Sequence, residues 1–456
     1  MLNLLLLFIP LTFVIYVVYK GWNASFSMML AAILVCIVSR MDIVSTIVSG
    51  TNNETALFLT GIQSAVSMFF LKFLAANLFG QIIVQTGAAR SISKFLTTTF
   101  VERGRGFARK LLAAYVFMLV AIIFGFGGLD AFVCVFTLLP IGMEIFRQND
   151  IPRRLLPAIL LAGVTTATCC PGTPLLSGNI LASMFFGGTA TTAALIPGLV
   201  GVAVILVCDC VYIYSALKKA EQRDEHFTPG GAIKLGDAST EERLPNAAIA
   251  FCPLLIVALL NMIFGIDVVL ALTAGSLFAA IFMYNYIATP TAKITPYKSL
   301  VEEGITKGGI IFIPMAIQMA LATVIQGTNG FAYLNDVLTD LALNTSSYLS
   351  YVISATFSGF LAGNAIAGIQ LSAMIFMPLV DQIAITPAAM HRIGCFAISI
   401  LDTIPINAAV ISALVTCGLT HKEGYGPIFR TTVLYVFFGM LAVLLICILF
   451  PSLAMV

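Results

Sequence analysis

The chain of 456 residues is 60% hydrophobic and only 10% charged, with a formal net charge of +2. Soluble domains carry roughly 25% charged residues, so this composition excludes an ordinary soluble protein. Many apolar runs of about 18 residues or more predict a polytopic α-helical membrane protein, in which the placement of Lys and Arg matters more than their sum.

Helices are predicted over residues 4–19 and 24–39, ended by Lys20–Gly21 and by Arg40 and Asp42. The first apolar run lacks a basic leader and a small-residue cleavage site, so it reads as a retained helix. A polar link, SGTNNET, leads to a spanning stretch over 65–85 that contains Lys72. A lysine there reads first as snorkelling or facing a neighbouring helix, with a functional charge as the alternative. Residues 86–110 hold Arg90, Lys94, Arg103, Arg105, Arg109 and Lys110 against one acid, Glu102. Their start, ARSISKFLTTTF, reads as an amphipathic helix at the interface.

Residues 111–146 form two apolar arms around the tip GFGGLD. Each arm is short for a crossing, so the reading is a re-entrant hairpin with both ends on the basic, cytoplasmic side. Residues 155–186 form a broken spanning helix, interrupted at CCPGTP over 169–174. The helix over 192–214 returns inward. Residues 215–245 form a hydrophilic cytoplasmic linker between two repeats, 1–214 and 246–456.

The second repeat follows the same order. Helices are predicted over 246–264, 268–287 and 308–326, with a cytoplasmic loop over 287–307. Residues 327–349 match 86–110 in order but carry no Lys or Arg, only Asp336 and Asp340. A second re-entrant hairpin covers 351–384 with its tip at 362–368, and a second broken helix covers 388–417, interrupted at 401–407. Gly125 precedes Pro140 by 15 residues, and Gly363 precedes Pro378 by 15. A cytoplasmic loop over 420–430 precedes the last helix. Opposite charge bias and an odd five crossings per half predict an all-α, inverted-topology repeat with two re-entrant hairpins, two broken transmembrane helices and both termini external.

Broken backbone inside a bilayer is tolerated only where protein buries it or it lines a watery cavity. Paired interruptions in two halves point to a transporter's substrate site. Glycine tips let backbone amides approach a ligand, and half-helix N-termini offer unpaired N–H groups suited to a carboxylate. The candidate substrate residues are Gly127, Gly128, Thr173, Ser177, Asn179, Gly363, Asn364, Thr403 and Asn407, converging near mid-membrane. Each polar group among them also has a purely structural reading, satisfying freed backbone. Asp130 and Asp402 are candidate proton-coupling acids, with helix capping as the competing reading. Asp209, in VCDCVY, is a third intramembrane acid, on a spanning helix and expected away from the breaks. His391 and Arg392 are placed near the external face, to set the helix position or attract anions. Gly198 and Gly275 read as packing residues.

GFGGLDAFV…LPI, the PGTP break and LDTIPINAAVISALVTCGLTHKEGY together resemble the gluconate:proton symporter (GntP-type) family of the ion transporter superfamily. The resemblance runs through nearly the whole chain. It departs at Ile406 and Ala408, where the family pattern has His and Gly. It implies a carrier in the cell (inner) membrane that imports gluconate or a related hydroxy-carboxylate with protons. It also implies a division into scaffold and transport parts, and a homodimer. No cofactor is expected beyond the coupling proton, and no nucleic-acid partner. The paired Ser-Asn-Thr tips of sodium-dependent dicarboxylate carriers are absent from the sequence. A sodium-coupled citrate or dicarboxylate carrier is the alternative within transport. A channel or complex subunit is the alternative outside it. A membrane enzyme lacks support, because no metal-spaced cluster or activated nucleophile is evident.

Overall fold

The computed structural model describes residues 2–20, 22–49, 56–126, 131–172, 179, 182–183, 185–190, 192–231, 244–262, 264, 266–286, 295–362 and 365–454. Among these the secondary structure is helical. The first half contains α1 (Leu2–Tyr19), α2 (Ala24–Ser39), α3 (Leu57–Ala65), α4 (Leu71–Gln85), α5 (Ala88–Leu96), α6 (Phe107–Phe126), α7 (Ala131–Gln148), α8 (Leu156–Cys169) and α9 (Leu195–Gln222). The second contains α10 (Ala247–Met262), α11 (Val268–Phe282), α12 (Thr295–Gln326), α13 (Asn329–Asn344), α14 (Ser347–Ala362), α15 (Ala365–Phe376), α16 (Pro387–Asp402), α17 (Ala408–Cys417), α18 (His421–Ile428) and α19 (Tyr435–Leu449). One π-helical turn, Val66–Phe70, joins α3 to α4, and another, Phe429–Leu434, joins α18 to α19.

Among the described residues, three continuous helices are long and apolar enough to cross a membrane: Phe107–Phe126, Leu195–Gln222 and His421–Leu449. At 1.5 Å per residue, the 28 residues of α9 reach about 42 Å, more than a hydrocarbon core of about 30 Å.

Several boundaries differ from the sequence reading. The arms of the first hairpin are not short: α6 has 20 residues and α7 has 18. Helix α9 runs to Gln222, into the expected linker, because Leu217 and Ala220 continue its buried stripe. Helix α12 starts at Thr295 rather than Gly308, with Pro296 in its first turn and a Lys298–Glu302 pair at 3.8 Å. The expected loop over 420–430 is helix. Thr420 and Glu423 form a reciprocal capping box that starts α18, and the helix then continues into α19.

Small residues set the closest helix contacts. A Cβ on Gly163 of α8 would lie 2.6 Å from Ala121 Cβ of α6, and one on Gly125 would lie 2.8 Å from Ala167 Cβ. Helices α6 and α8 therefore lie side by side through small faces. Gly275 packs on Val257 and the Pro253 carbonyl. Helices α3 and α4 pack on α12, α9 on α19, and α14 on α16. Lys72 places its ammonium over the Phe69 ring at 5.3 Å.

Candidate functional site at two helix breaks

The second break is fully described. Helix α16 stops at Asp402, residues 403–407 are non-helical in the main, and α17 restarts at Ala408. Pro405 has no N–H to continue an α-helix. Asn407 then caps α17: its Oδ1 accepts from the amides of Ala409 at 2.7 Å and Val410 at 3.2 Å. The Ala408 amide donates to Gln318 Oε1 of α12 at 3.0 Å. The sequence reading expected unpaired amides at this half-helix; three of them are taken by side chains instead. The break is fastened on its other sides too. His421 Nε2 donates to the Pro405 carbonyl at 2.7 Å. Thr403 Oγ1 lies 2.6 Å from Thr432 Oγ1, which donates to the Ile428 carbonyl at 2.8 Å. Thr403 therefore ties the break to the π turn. Asp402 is half-buried, and its Oδ1 accepts from Asn407 Nδ2 at 3.3 Å.

The first break begins where α8 ends. Cys170 turns to an extended conformation at φ −70°, ψ 128°, and Gly172 follows at φ +80°, a value that suits glycine. Thr173 and Ser177 lie outside the described residues, as do the tip residues Gly127, Gly128, Asp130, Gly363 and Asn364. Asn179 is described and fully buried. Its Oδ1 accepts from His391 Nε2 at 2.6 Å, and the Cys395 thiol approaches it at 3.9 Å. His391 Nδ1 lies 2.7 Å from the Thr189 hydroxyl. With Nε2 protonated, Nδ1 accepts that hydroxyl proton.

His391 and Arg392 are both fully buried in the protein rather than open to solvent. Arg392 Nε donates to the Ala193 carbonyl at 3.0 Å, and Nη1 to the Cys169 carbonyl at 3.5 Å. A cation at the end of α8 complements the negative pole of that helix. Gly198, read as a packing residue, packs α9 against this side chain; a Cβ there would lie 2.8 Å from Arg392 Cδ.

The two breaks are staggered rather than level. The Cys169 thiol approaches the Cys395 carbonyl at 3.9 Å, so the end of α8 faces the middle of α16. Asp402 follows Cys395 by seven residues, about 10 Å along the helix. The structure thus brings Asp402, Thr403 and Asn407 together, and places Asn179 in a separate buried cluster with His391 and Cys395. Gln318, Thr432 and His421 were missed by the sequence reading. Asp209 is fully buried on α9, and neither carboxyl oxygen has a hydrogen-bond partner among the described residues. No group of three or more His, Cys, Asp or Glu side chains fit to hold a metal occurs among them.

At the base of the first hairpin, Asp150 holds the strand of chain leaving α9. It accepts from the Phe227 amide at 2.9 Å, and it pairs with His226 at 2.7 Å and Lys110 at 3.3 Å. Burial pushes the Asp150 carboxyl up, but the Phe227, His226 and Lys110 contacts outweigh it and hold it below the usual carboxylate value. The hydrogen bond that His226 donates to Asp150 raises His226 above its ordinary value. Arg154 adds an ion pair to Glu225 at 2.7 Å.

Comparison with known proteins places the chain beside transporters. It is 27% identical to the uncharacterized transporter YxjC of Bacillus subtilis strain 168, over 95% of this chain and 96% of that protein. It is 22% identical to an uncharacterized transporter of Haemophilus influenzae strain Rd, over 77% of this chain and 78% of that protein. No protein-family model matches the chain.

Proposed function

We propose that this protein is a secondary active transporter, not an enzyme, that imports a small organic anion with protons. Gluconate or a related hydroxy-carboxylate is the substrate class, and the cell (inner) membrane is the location. The similarity to two transporters over most of the chain supports the general role. The observation that carries the mechanism is the break over 403–407, with Asp402 at its edge. A helix broken between apolar segments is the place where polar backbone and an acid survive in a bilayer. Among the described residues, the side-chain donor to Asp402 is Asn407, on Oδ1, which leaves the second oxygen as the place for a proton. Asp130 is its proposed counterpart in the first hairpin.

The inverted repeat belongs to the same proposal. Two equivalent pairs support it: α6 packs on α8 as α14 packs on α16, and α9 packs on α8 as α19 packs on α16. A hairpin of two full-length arms returns to the side it left, so the longer α6 and α7 leave the proposed topology unchanged. Both termini are external in this scheme, and the working unit is a homodimer.

Uptake of labelled gluconate into proteoliposomes under an imposed inward proton gradient tests the proposal. Uptake that an ionophore collapsing the gradient abolishes supports it. Uptake that survives the collapse but requires sodium removes the proton assignment. Failure of gluconate and related hydroxy-carboxylates to enter under any gradient removes the substrate class.

A further inference from the structure

We propose that Asp209 is a proton-binding site in the interface between α9 and α19, at the depth of the second break. Its side chain is fully buried, and neither oxygen has a hydrogen-bond partner among the described residues. An ionised carboxylate left so is costly, whereas the neutral acid is tolerated. Asp209 lies in the buried stripe of α9 with Gly198, Gly201, Ile205, Ile213 and Leu217.

Four contacts fix its depth. Gly198 packs on Arg392, and Gly201 packs on Phe396, so α9 and α16 run in the same direction. Eight residues past Gly201 is Asp209, and eight past Phe396 is Ile404, inside the break. Helix α19 runs the opposite way, with Gly201 against Val443 and Gly439 against Ile205. That order brings Tyr435 and the preceding π turn to the level of Asp209. The π turn reaches the break itself through Thr432 and Thr403. One short, non-α segment therefore touches both the acid-bearing interface and the break.

Among the described residues, no titratable or charged group pairs with Asp209. Helix α9 brings Cys208, Cys210 and Tyr212; α6 brings Tyr115, whose hydroxyl donates to the Cys210 carbonyl at 2.8 Å. Helix α19 brings Tyr435, and α8 carries only Cys169. The π turn brings Arg430, but its guanidinium lies over the Tyr212 ring at 5.6 Å. Helix α16 brings Asp402 at similar depth and Arg392, which packs eleven residues away along α9. A metal cation would need several oxygen ligands, and among the described residues no group of three or more His, Cys, Asp or Glu side chains gathers to hold one. A proton needs only one oxygen. It comes from water, forms one O–H bond on the carboxyl and leaves by the reverse step.

Infrared difference spectra of the purified protein, taken across a pH titration without substrate, test the site. The expected result is a protonated-carboxyl carbonyl band that Asp209→Asn abolishes and Asp402→Asn leaves in place. Asp209→Glu, which keeps the acid if the amide misfolds, should shift that band. Identical spectra for the native protein and a folded Asp209→Asn would overturn the proposal. So would no shift in Asp209→Glu, or a band that added sodium displaces at constant pH. The measurement uses neither substrate nor gradient, so its failure leaves the transport reading standing, and the converse holds.

Discussion

His391 Nε2 lies 2.6 Å from Asn179 Oδ1, and the two residues come from different broken regions 212 positions apart. The first half of the second broken helix is thereby fixed to the chain beyond the first break. Asn179→Ala removes the acceptor of a buried ring N–H, at a cost of about 1–3 kcal/mol. Thermal unfolding in detergent should show a lower midpoint for Asn179→Ala than for Asn179→Asp, which keeps an acceptor. Equal midpoints would deny the bond its role.

Gln318 and Asn407 cap one helix end from two sides. Gln318→Leu strands the Ala408 amide, costing about 1–3 kcal/mol, and Asn407→Ala removes the cap proper, costing about 0.5–2 kcal/mol. Because both act on the first turn of α17, the double variant should depart from the sum of the singles. Denaturant titrations of all three variants check this; strict additivity would mean the two caps are independent.

Asp402→Asn keeps an acceptor for Asn407 Nδ2 but cannot exchange a proton. Proteoliposomes carrying it should equilibrate the anion without concentrating it under a proton gradient. Concentrative uptake at the native level would take Asp402 out of the coupling.

The anchor between Asp150 and His226 should hold within a pH window. The raised His226 contributes stability that is full below its ordinary value of 6.5 and is lost as pH rises through its raised value. The lowered Asp150 contributes stability present above its ordinary value of 3.8 and lost as pH falls through its lowered value. Hydrogen exchange of the Phe227 amide should be slowest between the two and faster on both flanks. Asp150→Asn should flatten the profile; an unchanged profile would show that the strand is held by Arg154 and Glu225 alone.

The second break was legible because proline, asparagine and an acid interrupt an otherwise apolar run, and that pattern is local. Its partners were not legible. Gln318 stands 90 residues away in sequence, and a glutamine in an apolar helix gives no hint of the amide it will cap. The start of α18 is written in the sequence as Thr420 followed three places later by Glu423, a capping signature inside the stretch read as a cytoplasmic loop. The burial of Arg392 was hidden for the opposite reason. A charge near a helix start reads as exposed unless the carbonyls it serves, Cys169 and Ala193, are known to lie opposite.

Those two carbonyl bonds limit how the molecule can move. Pulling α16 away from α8 would strand a guanidinium in a dry interior, a far heavier cost than sliding apolar faces past one another. Helices α8 and α16 should therefore ride together as a single cargo-bearing block. The sliding seam would then lie outside them, toward α3, α4 and α12. A crosslink between α8 and α16 would leave such a carrier working, whereas one across that outer seam would jam it.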